Sequence, residues 1–160
     1  MFNLLFPRRA DNAYRGSRIA PWLFALLVLM TVGIGLNSIF NGYVVASFAD
    51  GIPLDTFTAA SARTIVTLFA FWGLSQLMLG LLGLLVLARY RTLIPCMFAL
   101  FLLEHLGGKL ISHFLPIVRT GKPPGPAVNL VLVILMIAGL ALSLISRDQL
   151  RPPRDVPGPG

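Results

Sequence analysis

The sequence is poor in charged residues, which make up 12% of the chain, and especially in acidic ones, with 6 Asp and Glu against 13 Lys and Arg. Hydrophobic residues make up 56%, and the mean hydropathy is +0.82. A single domain of 160 residues encloses too small a core to bury so much apolar surface. The composition therefore excludes a soluble monomer and favours a protein whose surface contacts a lipid bilayer.

Residues that bind metals are equally scarce. Cys96 is the single cysteine, which excludes a disulfide or a thiol redox pair within the chain and favours a packing role. The two histidines, His105 and His113, lie about two helical turns apart in one apolar run, so they cannot bind the two faces of one haem. Zinc would lack ligands for the same reason. We expect no metal site and no resident cofactor.

Four apolar runs are each long enough for a transmembrane helix, which needs about 20 residues, and are too long for the strands of a membrane barrel. They cover residues 19–40, 63–88, 92–115 and 127–145. The first run exceeds the core of a cleaved signal peptide, so we expect it to be retained. The sequence predicts an all-α fold, a four-helix transmembrane bundle of residues 19–146. A basic N-terminus, residues 1–18, precedes it, and a disordered Pro- and Gly-rich tail, residues 147–160, follows.

Basic residues flank these runs and do not form a basic face with interleaved aromatics, so the net charge of +7 indicates topology and not nucleic-acid binding. Three lie at one set of helix ends: Arg63, Arg119 and Lys122. Nine lie at the other set: Arg8, Arg9, Arg15, Arg18, Arg89, Arg91, Arg147, Arg151 and Arg154. The positive-inside rule then predicts an N-in/C-in bundle, with both termini cytoplasmic. We expect the membrane to be a bacterial inner membrane.

The two loops at the predicted external end differ in character. Residues 41–62 carry many apolar side chains, which predict a loop that folds back on the bundle, and Asp55 is the expected N-cap of the second helix. Residues 116–126 end in a Pro- and Gly-rich stretch, which predicts a short, ordered and non-helical connection.

Two charged residues inside the third run need an explanation, because each costs roughly 2.5–3.5 kcal/mol to insert into a bilayer. At about 1.5 Å per residue, Glu104 lies near the bilayer centre and Lys109 about 8 Å further out, where it can reach the external surface. The same rise puts Gln76 of the antiparallel second helix level with Glu104, so a hydrogen bond between them is open. Glu104 must otherwise be protonated or matched to a cation from elsewhere.

Further polar residues share the predicted outer half of the bundle with Glu104. By helical rise, Arg63 and Asn41 come level with His113, and Asn37 comes level with Lys109. The sequence therefore predicts a polar pocket with Gln76 and Glu104 as its floor. Its candidate ligand-binding residues are Asn37, Asn41, Arg63, Thr67, Gln76, Glu104, His105, Lys109, Ser112 and His113.

Three uses of this pocket are compatible with the residues. Polar groups between transmembrane helices often serve only as inter-helix hydrogen bonds, which is the most conservative interpretation. The second is a binding site for a small amphipathic molecule, such as a quinone or a lipid headgroup. The third is proton or ion passage, for which four helices leave little room. No catalytic residue stands out.

Small residues predict close helix packing. Gly139 and Ser143 are at the small-xxx-small spacing that can mediate a dimer. The other small residues that predict close packing are Gly33, Gly35, Gly73, Gly80, Gly83, Gly107 and Gly108.

The order of these features resembles the DoxX-like group of small four-helix bacterial membrane proteins. Arg63 precedes Gly73, Gly80 and Gly83 in the second span, and a polar third span leads to a final hairpin closed by Pro and Gly. The resemblance covers roughly residues 19–145. It implies the bundle fold and, from members linked to quinone-dependent oxidation of sulfur compounds, a quinone as a possible ligand.

These observations predict an integral membrane protein without catalytic activity of its own, which has an accessory role or binds a small molecule. Two alternatives stay open. One is a quinone-interacting membrane subunit of an oxidoreductase whose redox cofactor lies in a partner chain. The other is a transporter-like or channel-like oligomer. The lipid bilayer is the expected partner, with a protein partner or a second copy of the chain as further possibilities.

The orientation can be tested with reporter fusions at Gly160 and in the loop at Gly51. We expect a cytoplasmic reporter to be active at Gly160 and a periplasmic reporter to be active at Gly51, because of the distribution of basic residues. A periplasmic reporter that is active at Gly160 would contradict the predicted topology.

Overall fold

The computed structural model describes residues 11, 12, 14 and 16–145. Four long helices are α1 (Ala20–Phe40), α2 (Ala59–Arg89), α3 (Ile94–Phe114) and α4 (Gly125–Leu144). Each is long and apolar enough to cross a membrane. The four predicted helices are confirmed, although α2 and α4 begin a few residues earlier than predicted. Most of the basic N-terminus and the tail predicted to be disordered lie outside the described residues.

Local sequence explains where the helices begin. Pro21, Pro95 and Pro126 each lie in the first turn of a helix, where the missing backbone N–H is not needed. The prediction that Asp55 caps α2 is wrong. Thr58 is the cap, and its Oγ1 accepts a hydrogen bond from the backbone N–H of Ser61, 3.3 Å away. Asp55 lies instead in a separate 3₁₀ turn, Leu54–Thr56, which ends before α2 begins at Ala59.

The first two helices cross at glycines. A Cβ atom on Gly35 would lie 2.8 Å from the carbonyl oxygen of Gly73, so only residues without a side chain let the backbones approach this closely. Further along α2, a Cβ on Gly80 would lie 2.6 Å from Val32, and one on Gly83 would lie 2.6 Å from Val28. The glycines of α2 thus form a smooth groove that holds the side chains of α1.

An aromatic core fills the end of the bundle where α1 and α3 begin. The ring of Phe24 on α1 meets Phe98 edge-on at 5.3 Å and stacks on Phe101 at 5.9 Å, measured between centroids. Gly139 on α4 packs directly on the ring of Phe98. Gly139 and Ser143 are both buried inside this chain, so the structure does not offer this pair for the dimer contact that their spacing suggested.

The N-terminal segment, the α2–α3 link and the end of α4 meet at this same end of the bundle. We call it the basic end because Arg18, Arg89 and Arg91 lie there. The side chain of Thr92 in the link donates to the carbonyl of Asp11, 2.9 Å away, and accepts from its N–H at 3.0 Å. The N–H of Ser17 donates to the carbonyl of Leu142, near the end of α4. Both ends of the described chain therefore lie at one end of the bundle.

The other end, the loop end, is formed by residues 41–58 and 115–124. As predicted, the first loop folds back on the bundle: Ala46, Ile52 and Leu54 form a small buried cluster that packs on the start of α2. The second loop is joined to the first, since the N–H of Thr120 donates to the carbonyl of Gly51, 2.8 Å away. Burial raises the pKa of Asp50 in the first loop, and nearby Arg119 opposes that shift.

The last two turns of α3 leave the bundle. Gly107 and Gly108 have no atom within 4 Å of the position a Cβ would take. The residues from Gly108 to Phe114 are all exposed. The helices are therefore tightly packed at the basic end, and α3 has an open face toward the loop end.

A matched pair of glycine substitutions tests this packing. Gly73→Ala places a Cβ 2.7 Å from the Ser38 Cβ, so we expect it to lower the free energy of unfolding by about 1–3 kcal/mol through overpacking. Gly107→Ala meets open space and gains helix propensity, so stability is expected to be unchanged or to rise by up to about 1 kcal/mol. Thermal melting in detergent compares the two variants, and equal melting temperatures would contradict the glycine crossing.

Candidate functional site

Gln76 lies on the glycine-rich face of α2, between Gly73 and Gly80, and its side chain is buried. Neighbouring glycines leave room for the side chain but offer it no polar partner. The Gln76 Nε2 group instead donates to Oε1 of Glu104 on α3, 2.7 Å away. The predicted hydrogen bond between these residues is confirmed, and it ties α2 to α3 where few other contacts do.

The second oxygen of Glu104 has a different environment. Oε2 lies 2.6 Å from Nδ1 of His105, the next residue in the helix, which is the separation of an ion pair. When Nδ1 carries the proton, however, its N–H is aligned with the carbonyl of Phe101, 3.1 Å away. Oε2 is buried and accepts no aligned hydrogen bond from the described residues. Glu104 therefore has one buried oxygen that lies beside an imidazole but accepts no aligned hydrogen bond from the described residues.

The sequence did not predict the pairing of Glu104 with His105. Adjacent residues on a helix point about 100° apart, so the sequence favours partners for Glu104 on other helices. The structure places the Glu104 carboxyl group beside the imidazole, whose Nδ1 lies 3.1 Å from the carbonyl of Phe101 one turn back.

Glu104 is the accessible member of this group. Its side chain is 35% exposed, against 10% for that of His105, while Gln76 is 4% exposed. Part of the Glu104 side chain therefore faces the outside of the bundle, although its Oε2 atom is buried. We call Gln76, Glu104 and His105 the polar triad.

The remaining predicted site residues do not join the triad. Asn41 donates to the side chain of Asn37 on the same helix, 2.9 Å away. Thr67 and Ser112 donate to carbonyls of their own helices, those of Arg63 and Gly108. No hydrogen bond or ion pair among the described residues links α3 beyond His105 with α1 or α2. Lys109, Ser112 and His113 are exposed on the open face of α3, and Arg63 is exposed on α2.

The predicted ten-residue pocket is therefore not a single contacting cluster. It separates into the triad, an asparagine pair on α1, and exposed polar residues along α3. Helical rise placed these residues at plausible depths, but depth alone does not determine whether helices are close enough for contact. The depths predicted for Arg63 and His113 stay a prediction.

No group of three or more His, Cys, Asp or Glu that could hold a metal ion occurs in the part of the chain that the structure describes. The chain was also compared with known proteins. No family model, curated protein or solved structure matches it. The function must therefore be argued from the residues themselves.

Substitutions at the triad separate the hydrogen bond from the negative charge. Glu104→Gln keeps the size and an oxygen that accepts from Gln76, so we expect stability to change by less than about 1 kcal/mol. Glu104→Leu leaves the buried Gln76 amide without a partner and should cost about 1–3 kcal/mol. Adding Gln76→Leu should restore most of that loss, because both polar partners are then gone.

Thermal melting of the detergent-solubilised variants measures these effects. If Glu104→Gln unfolded well before Glu104→Leu, the charge and not the hydrogen bond would hold the bundle together. If the double variant were no more stable than Glu104→Leu, the Gln76–Glu104 bond would not be the reason for the loss.

Proposed function

We propose that the protein is a multi-pass integral protein of a bacterial inner membrane with both termini cytoplasmic. Four apolar helices support the membrane assignment. Many of their exposed side chains are large and apolar, such as Leu29, Leu68 and Leu103, and suit contact with lipid. The concentration of basic residues at one end supports the orientation.

Within that membrane, we propose that the polar triad binds a small amphipathic molecule, a quinone or a lipid. The observation that carries this proposal is the Oε2 atom of Glu104. It lacks an aligned hydrogen-bond donor among the described residues, and it belongs to a side chain that is 35% exposed. Oε2 itself is buried, so the proposal requires the Glu104 side chain to turn outward when a ligand binds. Intramembrane carboxyl groups are costly and need a polar partner, which a ligand hydroxyl would provide.

The open face of α3 supports an approach route for such a molecule. Gly107 and Gly108 leave space beside the helix, directly after the triad. Lys109 and Ser112 follow on the exposed surface. An amphipathic ligand could place its polar head at Glu104 and contact these residues along the helix. The resemblance to DoxX-like proteins adds a reason to test a quinone first.

We propose an accessory role without independent catalysis. A ligand bound here would be held and oriented, and redox chemistry would depend on a partner protein.

Photo-crosslinking tests the binding site. The full chain in nanodiscs is labelled with a photoreactive azido-benzoquinone, with and without excess decylubiquinone, and labelled peptides are identified by mass spectrometry. We expect competed labelling near Gln76 and in α3 from Glu104 to Ser112. Glu104→Gln should weaken binding about fivefold, because the amide keeps only the acceptor oxygen that Gln76 already uses and a hydrogen bond contributes about 0.5–1.5 kcal/mol.

Ser75→Ala is the matched control. Ser75 neighbours Gln76 on α2, is exposed, and donates to the carbonyl of Phe71 on its own helix. This variant should bind like the unmodified protein. Labelling that decylubiquinone does not compete, or that Glu104→Gln leaves unchanged, would contradict the quinone site. The same experiment with a photoreactive diacylglycerol, a neutral lipid with a hydroxyl group, then tests the lipid alternative.

A further inference from the structure

A cavity of about 390 Å³ opens at the basic end, remote from the polar triad. It lies between the segment that precedes α1, the first turns of α1, and the end of α2 with the following link. Two arginines line it together with mainly apolar side chains. The full set is Tyr14, Arg18, Pro21, Trp22, Ala25, Leu87 and Arg91.

The two arginines come from distant parts of the sequence and are brought to one cavity by the fold. Arg91 is oriented by its Nε, which donates to the carbonyl of Leu87 in the last turns of α2, 3.0 Å away. This bond uses one of the five N–H donors of the guanidinium group. No acidic side chain is among the described residues that line the cavity, so these residues do not balance the two positive charges within its walls.

Arginine donors in a concave site fit the oxygens of a phosphate group, which they can bind in pairs. The rest of the cavity wall is apolar, and it includes Trp22, whose side chain is 79% exposed. Tryptophan at the end of a membrane span characteristically lies at the level of the lipid headgroups. A ligand that matches the whole cavity thus carries a phosphate beside a hydrocarbon portion.

We propose that this cavity binds the phosphate of an anionic phospholipid from the leaflet at the basic end. Arg18 and Arg91 contact the phosphate oxygens, and the glycerol and upper acyl region lie against Pro21, Trp22 and Leu87. An anionic lipid is favoured over a zwitterionic one because two arginines face a single phosphate charge. The site rests on the proposed membrane location but is independent of ligand binding at the triad.

Lipid-specific quenching of Trp22 tests this proposal. The full chain carrying Trp72→Phe, which leaves Trp22 as the only tryptophan, is placed in phosphatidylcholine nanodiscs. A small and equal fraction of the lipid is brominated phosphatidylglycerol in one sample and brominated phosphatidylcholine in the other. We expect stronger quenching by phosphatidylglycerol. The relative affinity should fall about fivefold for each arginine removed in Arg18→Gln and Arg91→Gln.

Arg89→Gln is the matched control. Arg89 is exposed at the end of α2, close to the same surface, but it does not line the cavity. Arg89→Gln removes one positive charge, as Arg91→Gln does, and should leave the preference for phosphatidylglycerol unchanged. A loss equal to that of Arg91→Gln would show a general surface attraction and would overturn the site, as would equal quenching by the two brominated lipids.

Two further measurements separate a lipid site from a site for soluble phosphates, and an error in this proposal from an error in the membrane assignment. If millimolar inorganic phosphate or glycerol 1-phosphate abolished the phosphatidylglycerol preference, the cavity would be a site for soluble phosphates and the lipid proposal would be wrong. Quenching by brominated phosphatidylcholine reports contact of Trp22 with the bilayer. Its absence would contradict the membrane location itself, whereas its presence without a lipid preference would contradict only this site.

Discussion

The close crossing of α1 and α2 at Gly35 and Gly73 is the contact on which the rest of the structure depends. Helices in lipid gain little from hiding apolar surface from each other, so their association relies on close packing and on a few polar bonds. With both backbones in near contact, the side chains of α1 occupy the groove of α2. The one large polar residue on that face, Gln76, must find its partner on α3. The glycines at which α1 and α2 cross therefore leave α3 as the helix that supplies a hydrogen-bond partner for Gln76.

The packing is uneven along the bundle, and this unevenness positions the polar triad. At the basic end, Phe24, Phe98 and Phe101 fill the interior and short links hold the helix ends. After His105, no hydrogen bond or ion pair among the described residues joins α3 to α1 or α2. Glu104 lies at the transition, where one carboxylate oxygen is held inside and the side chain is still accessible. A ligand site at this level needs no separate cavity in the packed half of the protein.

The two candidate sites differ in how their charge is balanced. At the triad, the carboxyl group accepts a hydrogen bond from the Gln76 amide and lies beside the His105 imidazole. At the basic end, Arg18 and Arg91 line a cavity without an acidic counterpart among its described lining residues. The first arrangement suits a neutral amphipathic molecule with a hydroxyl or carbonyl group. The second suits an anion, and its apolar walls favour an anion attached to hydrocarbon. The two proposals therefore concern different ligands.

The sequence by itself determined the four helices, because long apolar runs without water leave the backbone no other way to satisfy its hydrogen bonds. It also predicted that Gln76 lies level with Glu104, where a hydrogen bond is possible, since helical rise gives antiparallel helices a common scale of depth. Only the tertiary structure decided which residues meet at a given depth. The outer polar residues share a level but not a contact, as α3 diverges from α1 and α2. Arg18 and Arg91 are 73 positions apart in the sequence and share a cavity only because the link returns to the start of α1. The lateral distance between two helices depends on many packing contacts together, so a residue pattern along the sequence does not predict it.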